Sequence, residues 1–191
     1  MFDQPQRTNY RITPGLKVLR RLCSSLPAHW LILLLSVSGI ASAFNDSPIG
    51  VQVSEFRYAD QTYIELALTT INTLTRNNYG TSLSGEPNRD IPLLQRLLDD
   101  RIVKHGDLAE LQAMGVALGE VFKRVKYMEW VRYLDEQGAS RALRLKHTDY
   151  VIFPVTLISR RASAGIDVDV YTVYKNVLDK IEAYQNRDEH L

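Results

Sequence analysis

The residues able to do chemistry are few and scattered. Beyond residue 43 the histidines are His105, His147 and His190. The first follows a helical stretch, the second sits in a turn, and the third is next to last. Nothing groups them at metal-ligand spacing, so a solvated surface role is expected. Asp167-Val168-Asp169 has the form of an acidic metal clasp. It also stands where a helix should begin, and carboxylates there satisfy free N–H groups and match the helix dipole. There is no phosphate-cradling glycine loop, no HExxH, no GxSxG and no cysteine pattern for zinc. No metal, no cofactor and no catalytic set is therefore expected.

The arginines say more. Arg160-Arg161, with Arg132 and Arg141 placed opposite each other on adjacent strands, can form a cationic patch. Guanidinium forks suit carboxylate or phosphate. Pairing inside the molecule, with Asp135, Glu136 or Asp149, is the simpler use of such charges. A second candidate surface carries Arg144 and Lys146 beside Tyr127, Tyr133 and Tyr150. The expected binding residues are thus Arg144, Lys146, Tyr133, Arg160 and Arg161.

Helices and strands must position these groups. Ile64, Ala67, Leu68, Ile71 and Leu74 recur at helical steps behind a capping box at Thr62–Glu65, and Gly80 is a natural stop. Residues 80–89 are rich in turn formers. A second helix carries Leu94, Leu97, Leu98 and Ile102, with Asp90 as its cap, Pro92 in its first turn and Gly106 as its end. A third, opened by Asp107, presents Leu111, Met114, Leu118, Phe122 and Val125. Gly115 and Gly119 stand one turn apart on it. Each glycine costs about 1 kcal/mol against alanine inside a helix, so a neighbour packed close to the backbone is expected there.

From Tyr127 the period changes to two. Tyr127–Leu134, Ala139–Lys146 and Tyr150–Ser159 read as an antiparallel meander with short turns. One register of the first pair joins Trp130 to Leu143, Met128 to Leu145 and Glu129 to Arg144, matching apolar with apolar. Pairing Lys146 with Tyr150 then sets Phe153 near Leu143. Pro154 lacks an N–H, so the third strand should be a sheet edge or bulged there. Val170, Tyr174, Val177, Leu178, Ile181 and Tyr184 mark a last helix capped by Asp167 or Asp169. The fold class is α+β: N-terminal helices, a three-stranded antiparallel meander and a C-terminal helix in one domain.

Of 191 residues, 45% are hydrophobic and 24% charged, with room for about one domain. The net charge of +1 averages two unlike parts. Arg7, Arg11, Lys17, Arg20 and Arg21 face only Asp3 in residues 1–43, which leaves the remainder at −3. The basic front leads into an apolar run, Trp30–Val37, and then Ala41-Ser42-Ala43. That is the pattern of a secretory signal cut between Ala43 and Phe44, and the run is too short for a permanent span. Cys23, the sole cysteine, would leave with it, and the thiol-free remainder suits an oxidising compartment. A mildly acidic remainder gives no support for nucleic-acid binding. The organisation expected is a signal at 1–43, an irregular segment at 44–58, a helical region at 59–106, an α+β domain at 107–185 and a tail at 186–191.

Several blocks follow one another in order: Leu118-Gly119-Glu120, Met128-Glu129-Trp130-Val131, Asp135-Glu136-Gln137-Gly138, Arg141-Ala142-Leu143-Arg144, Phe153-Pro154-Val155-Thr156 with Ile158-Ser159-Arg160-Arg161, and Val168-Asp169-Val170. Over about residues 107–184 this run resembles the bacterial domain of unknown function 3806, in its secreted type. The resemblance implies no established activity and carries over no catalytic residue. A non-catalytic periplasmic or secreted protein that binds a protein or small molecule in the envelope is the expectation. The alternatives are an enzyme using a carboxylate with arginine, and an immunity-like envelope protein.

Overall fold

The computed structural model describes residues 50–188. The expected signal, the Ala43–Phe44 cut, Cys23, residues 44–49 and His190 lie outside the described residues. The element order is β1 (Gln52–Ser54), α1 (Tyr58–Tyr79), α2 (Pro87–Asp99), α3 (Leu108–Lys126), β2 (Met128–Asp135), β3 (Gly138–Leu145), β4 (Val151–Ile152), α4 (Val155–Ala162) and α5 (Val170–Asp188). The four strands form one antiparallel sheet in the order β1-β2-β3-β4, and the fold is α+β in a single domain.

Helix α3 is the centre. Ten of its residues are buried, Leu111, Met114, Leu118 and Phe122 completely. A helix apolar on most sides must be covered on most sides. It lies on the sheet, with α1 and α4 as its main helical neighbours. Phe122 stacks on Tyr174 of α5, ring centroids 5.3 Å apart. The two glycines answer to close neighbours. A Cβ on Gly115 would collide with the Pro154 carbonyl oxygen and lie 2.7 Å from that of Val155. One on Gly119 would lie 2.7 Å from the indole of Trp130. That indole also donates from Nε1 to Glu120 Oε1 at 2.6 Å, which fixes the ring against α3.

The register of β2 and β3 is the one that matches apolar with apolar: Trp130 faces Leu143, Met128 faces Leu145, and Glu129 faces Arg144. Asp135 pairs with Gly138 and closes a turn at Glu136-Gln137, with the Gln137 N–H held by Asp135 Oδ1.

Other expectations need correction. Residues 52–54, read as irregular, form an edge strand beside β2. The third strand is only Val151–Ile152, because Pro154 starts a helix rather than interrupting a strand. Its φ of −63° and ψ of −37° are helical, its missing N–H is no loss there, and Ile158, Ser159 and Ala162 bury one face of α4. The pairing is shifted by one residue, so Ile152, not Phe153, faces Leu143. The cause is a longer turn. Leu145 N–H donates to the Tyr150 carbonyl, and Thr148 folds back on Leu145 through its N–H and hydroxyl.

Helix starts also move. Helix α1 begins one turn before Thr62, whose hydroxyl donates to the Tyr58 carbonyl inside the helix, while Asp60 accepts the Arg57 N–H. Helix α2 begins at Pro87. Buried Asp90 instead gathers the preceding loop, accepting from the Ser84 N–H and hydroxyl and from the Gly85 N–H. Helix α2 ends at Asp99, with Arg101 left-handed at φ 55°, well before Gly106. Asp107 does stand at the start of α3, but its carboxylate holds the Lys104 N–H and not the first turn. Asp169 caps α5 through the Thr172 N–H at 2.6 Å.

Candidate functional site

Arg141 sits on β3 directly opposite Arg132. Two like charges across a ladder repel, and Arg141 is drawn off toward α1. Its Nε lies 3.1 Å from Asp60 Oδ1, and its guanidinium covers the Tyr63 ring at 4.0 Å from the centroid. The Nε–Asp60 contact is an ion pair without hydrogen-bond geometry: Nε is buried and donates to no acceptor. The terminal nitrogens of Arg141 make no hydrogen bond among the described residues.

Arg141 lines a cleft of about 380 Å³. Tyr63 comes from α1, Gln112 from α3, Asp135 from the end of β2, and Thr156 and Arg160 from α4. Burial lifts the Tyr63 phenol above its ordinary value, with the Arg141 charge pulling the other way. The phenol therefore stays protonated at neutral pH. It donates over a long 3.5 Å to Gln112 Oε1. Arg160 is exposed and has no ion-pair partner among the described residues. The cleft lining thus holds two guanidiniums, one fixed and one free, beside several neutral donors and one carboxylate, Asp135, while the Asp60 carboxylate pairs with Arg141. Such a set suits a small anion better than a cation.

The other expected residues fall elsewhere. Arg144 donates twice to Glu129 Oε1, from Nη2 at 2.6 Å and from Nε at 3.1 Å. Its charge is therefore partly used. Arg144 and Lys146 line an open cleft of about 650 Å³ with Glu129, His147, Asp149 and Tyr184. Tyr133 lies on the same side of the sheet as Arg144 but packs edge-on against Phe153, centroids 5.2 Å apart. Between them Val131 and Ala142 are buried. Tyr150 leans on Tyr184, and Tyr127 caps the end of α3, left-handed and exposed. Arg161 does not line the Arg141 cleft and donates to the Leu157 carbonyl one turn back on α4. Of the four arginines read as one patch, Arg132 and Arg141 are cross-strand neighbours, and Arg141 and Arg160 line one cleft.

Among the described residues no cluster of three or more His, Cys, Asp or Glu side chains is placed to hold a metal. Asp167 lies 3.8 Å from His105, both exposed. Also among the described residues, no helix is long and apolar enough to cross a membrane.

The family blocks now have places: α3, β2, β3 and α4 are the elements around the cleft. Residues 90–174 match the domain of unknown function DUF3806. The DUF3806 segment supplies Gln112, Asp135, Arg141, Thr156 and Arg160, whereas Asp60 and Tyr63 come from α1, ahead of it. A crystal structure from Bacteroides thetaiotaomicron VPI-5482 is similar in fold, with a TM-score of 0.64 and 15% identity over 71% of this chain and 50% of that one. This chain therefore spans half the length of that protein. No curated protein matches this chain.

Asp60, Tyr63, Gln112 and Thr156 were not legible as site residues. Their types are common, and their spacing carries no signal. Only the packing of α1 and α4 on α3 brings them near Arg141.

Proposed function

We propose that this is an exported, non-catalytic binding protein whose cleft between Arg141 and Arg160 takes a small carboxylate- or phosphate-bearing ligand. The observation that carries the reading is the guanidinium of Arg141, held in place by Asp60 and Tyr63 with its outer nitrogens left for a ligand. A fixed fork loses less freedom on binding than a mobile one. Export rests on the basic front, the apolar run and Ala41-Ser42-Ala43.

Calorimetric titration with inorganic phosphate and a series of mono- and dicarboxylates tests the cleft. At least one should bind, and Arg160→Gln should weaken it by about ten-fold, the scale of one charge-assisted contact. Absence of any anion binding, or equal binding by the variant, would sink the reading. Mass spectrometry of the processed protein tests export, with Phe44 expected as the first residue.

An enzymatic reading has one point in its favour. Asp135 shares the cleft with Arg160, a carboxylate beside an arginine. Asp135 is already engaged by the Gln137 N–H, which favours binding over acid–base work.

A further inference from the structure

A second surface begins where the first ends. On the far side of Arg160 a groove of about 680 Å³ runs between β4, α4 and α5. Its apolar lining includes Val151, Phe153, Leu157 and Ile166, the last 56% exposed. Its cations are Arg160 and Arg161 from α4 and Lys180 from α5. No carboxylate lines it. Among the described residues none of the three cations has an ion-pair partner. Three uncompensated charges around an apolar strip set up a field that favours an anionic partner.

The edge of the sheet adds a directional element. Leu145 N–H donates to the Tyr150 carbonyl while the Tyr150 N–H is held by Thr148 Oγ1, so one bond of the antiparallel ladder joins these two residues at its end. Alternation then makes Val151, opposite Arg144, a non-hydrogen-bonded position. That alternation turns the Val151 N–H and C=O away from β3, to the side of β4 where no further strand pairs among the described residues. An unpaired edge of this kind is a template for an incoming strand.

We propose that this groove docks an extended, acidic segment of a partner protein. Its backbone meets the Val151 edge, alternate apolar side chains lie on Phe153, Leu157 and Ile166, and carboxylates face Arg160, Arg161 and Lys180. An extended peptide of this kind buries every second side chain on the apolar strip. The proposal does not depend on an anion in the Arg141 cleft.

The test is selection from a library of random dodecapeptides on the purified protein, followed by affinity measurement. Selected peptides should alternate apolar residues with Asp or Glu. The double variant Arg161→Glu, Lys180→Glu should bind them about ten-fold or more weaker, because like charges now face each other. That variant leaves Arg141 and Arg160 in place, so anion binding in the first cleft stays intact. Ile166→Asp, at an exposed loop position, should weaken the same peptides and serves if the double variant fails to fold. Selection without acidic bias, no selection at all, or unchanged affinity in the folded variants would overturn the proposal. So would tight binding of oleate with no peptide selected.

Discussion

Asp60 and Arg141 join the first turn of α1 to β3, with Asp60 Oδ1 3.1 Å from Arg141 Nε. The side chain of Asp60 is only 13% exposed and that of Arg141 32%. The carboxylate also accepts the Arg57 N–H, so one group both starts the helix and holds the cleft's guanidinium. Asp60→Ala removes both functions and leaves a half-buried charge uncompensated. A loss of about 1–3 kcal/mol is expected, below the value for a fully buried pair because Arg141 keeps some contact with water. A urea double-mutant cycle with Arg141→Met measures the coupling. Additive effects of the two changes would show that the pair does not act as a unit.

Gly115 has the closest neighbour of the described glycines. An alanine methyl there meets backbone oxygens at the start of α4, which cannot rotate aside as a side chain can. Gly115→Ala should destabilise by roughly 1–3 kcal/mol through overpacking, even though alanine gains about 1 kcal/mol in helix propensity. At Gly119 the neighbour is the Trp130 ring, so Gly119→Ala should cost less. Urea melts of the two variants give the order. A Gly115→Ala protein as stable as the parent would mean that α4 moves away without loss.

The glycine pair and the β2–β3 register could be read in the sequence because each rests on a local rule. A helix interior with two glycines needs a close neighbour, and a strand pair with one apolar face has one good register. The stretch Val151–Ser159 could not be read this way. Its apolar residues fit a buried strand as well as a helix, and the choice falls to where Pro154 meets Gly115, a contact far apart in sequence. The same holds for the candidate site. Arg141 and Arg160 are visible as cations, but what makes one fixed and the other free comes from α1 and α4 packed around α3.

High pH should weaken the fold in a specific window. Burial raises the phenols of Tyr63, Tyr150 and Tyr174 above the ordinary value of 10.0. In each case the folded state holds its proton longer than the unfolded chain. Above that ordinary value the unfolded state therefore binds fewer protons, and stability falls as pH rises until the folded phenols also ionise. Below it these groups contribute nothing to the pH slope. Thermal melts between about pH 9 and about pH 11 should show the decline. Tyr150→Phe combined with Tyr174→Phe should flatten it. Parallel curves for parent and variant would assign the decline to other groups.

The pair Glu129–Arg144 crosses β2 and β3, and both hydrogen bonds from Arg144 end on one carboxylate oxygen. The two side chains are 38% and 35% exposed, so water screens much of their attraction. A small coupling follows, about 0.2–1 kcal/mol for a cross-strand charge pair. Arg144→Glu alone sets two carboxylates face to face across the ladder and should lower the melting temperature slightly. Adding Glu129→Arg restores opposite charges in the same register, and stability should return toward the parent. The exchange depends on register alone, because neither side chain is needed for the apolar face formed by Trp130 and Leu143. If the double exchange is no more stable than Arg144→Glu, the position tolerates only the native orientation. The Tyr184 side of that cleft would then be setting it.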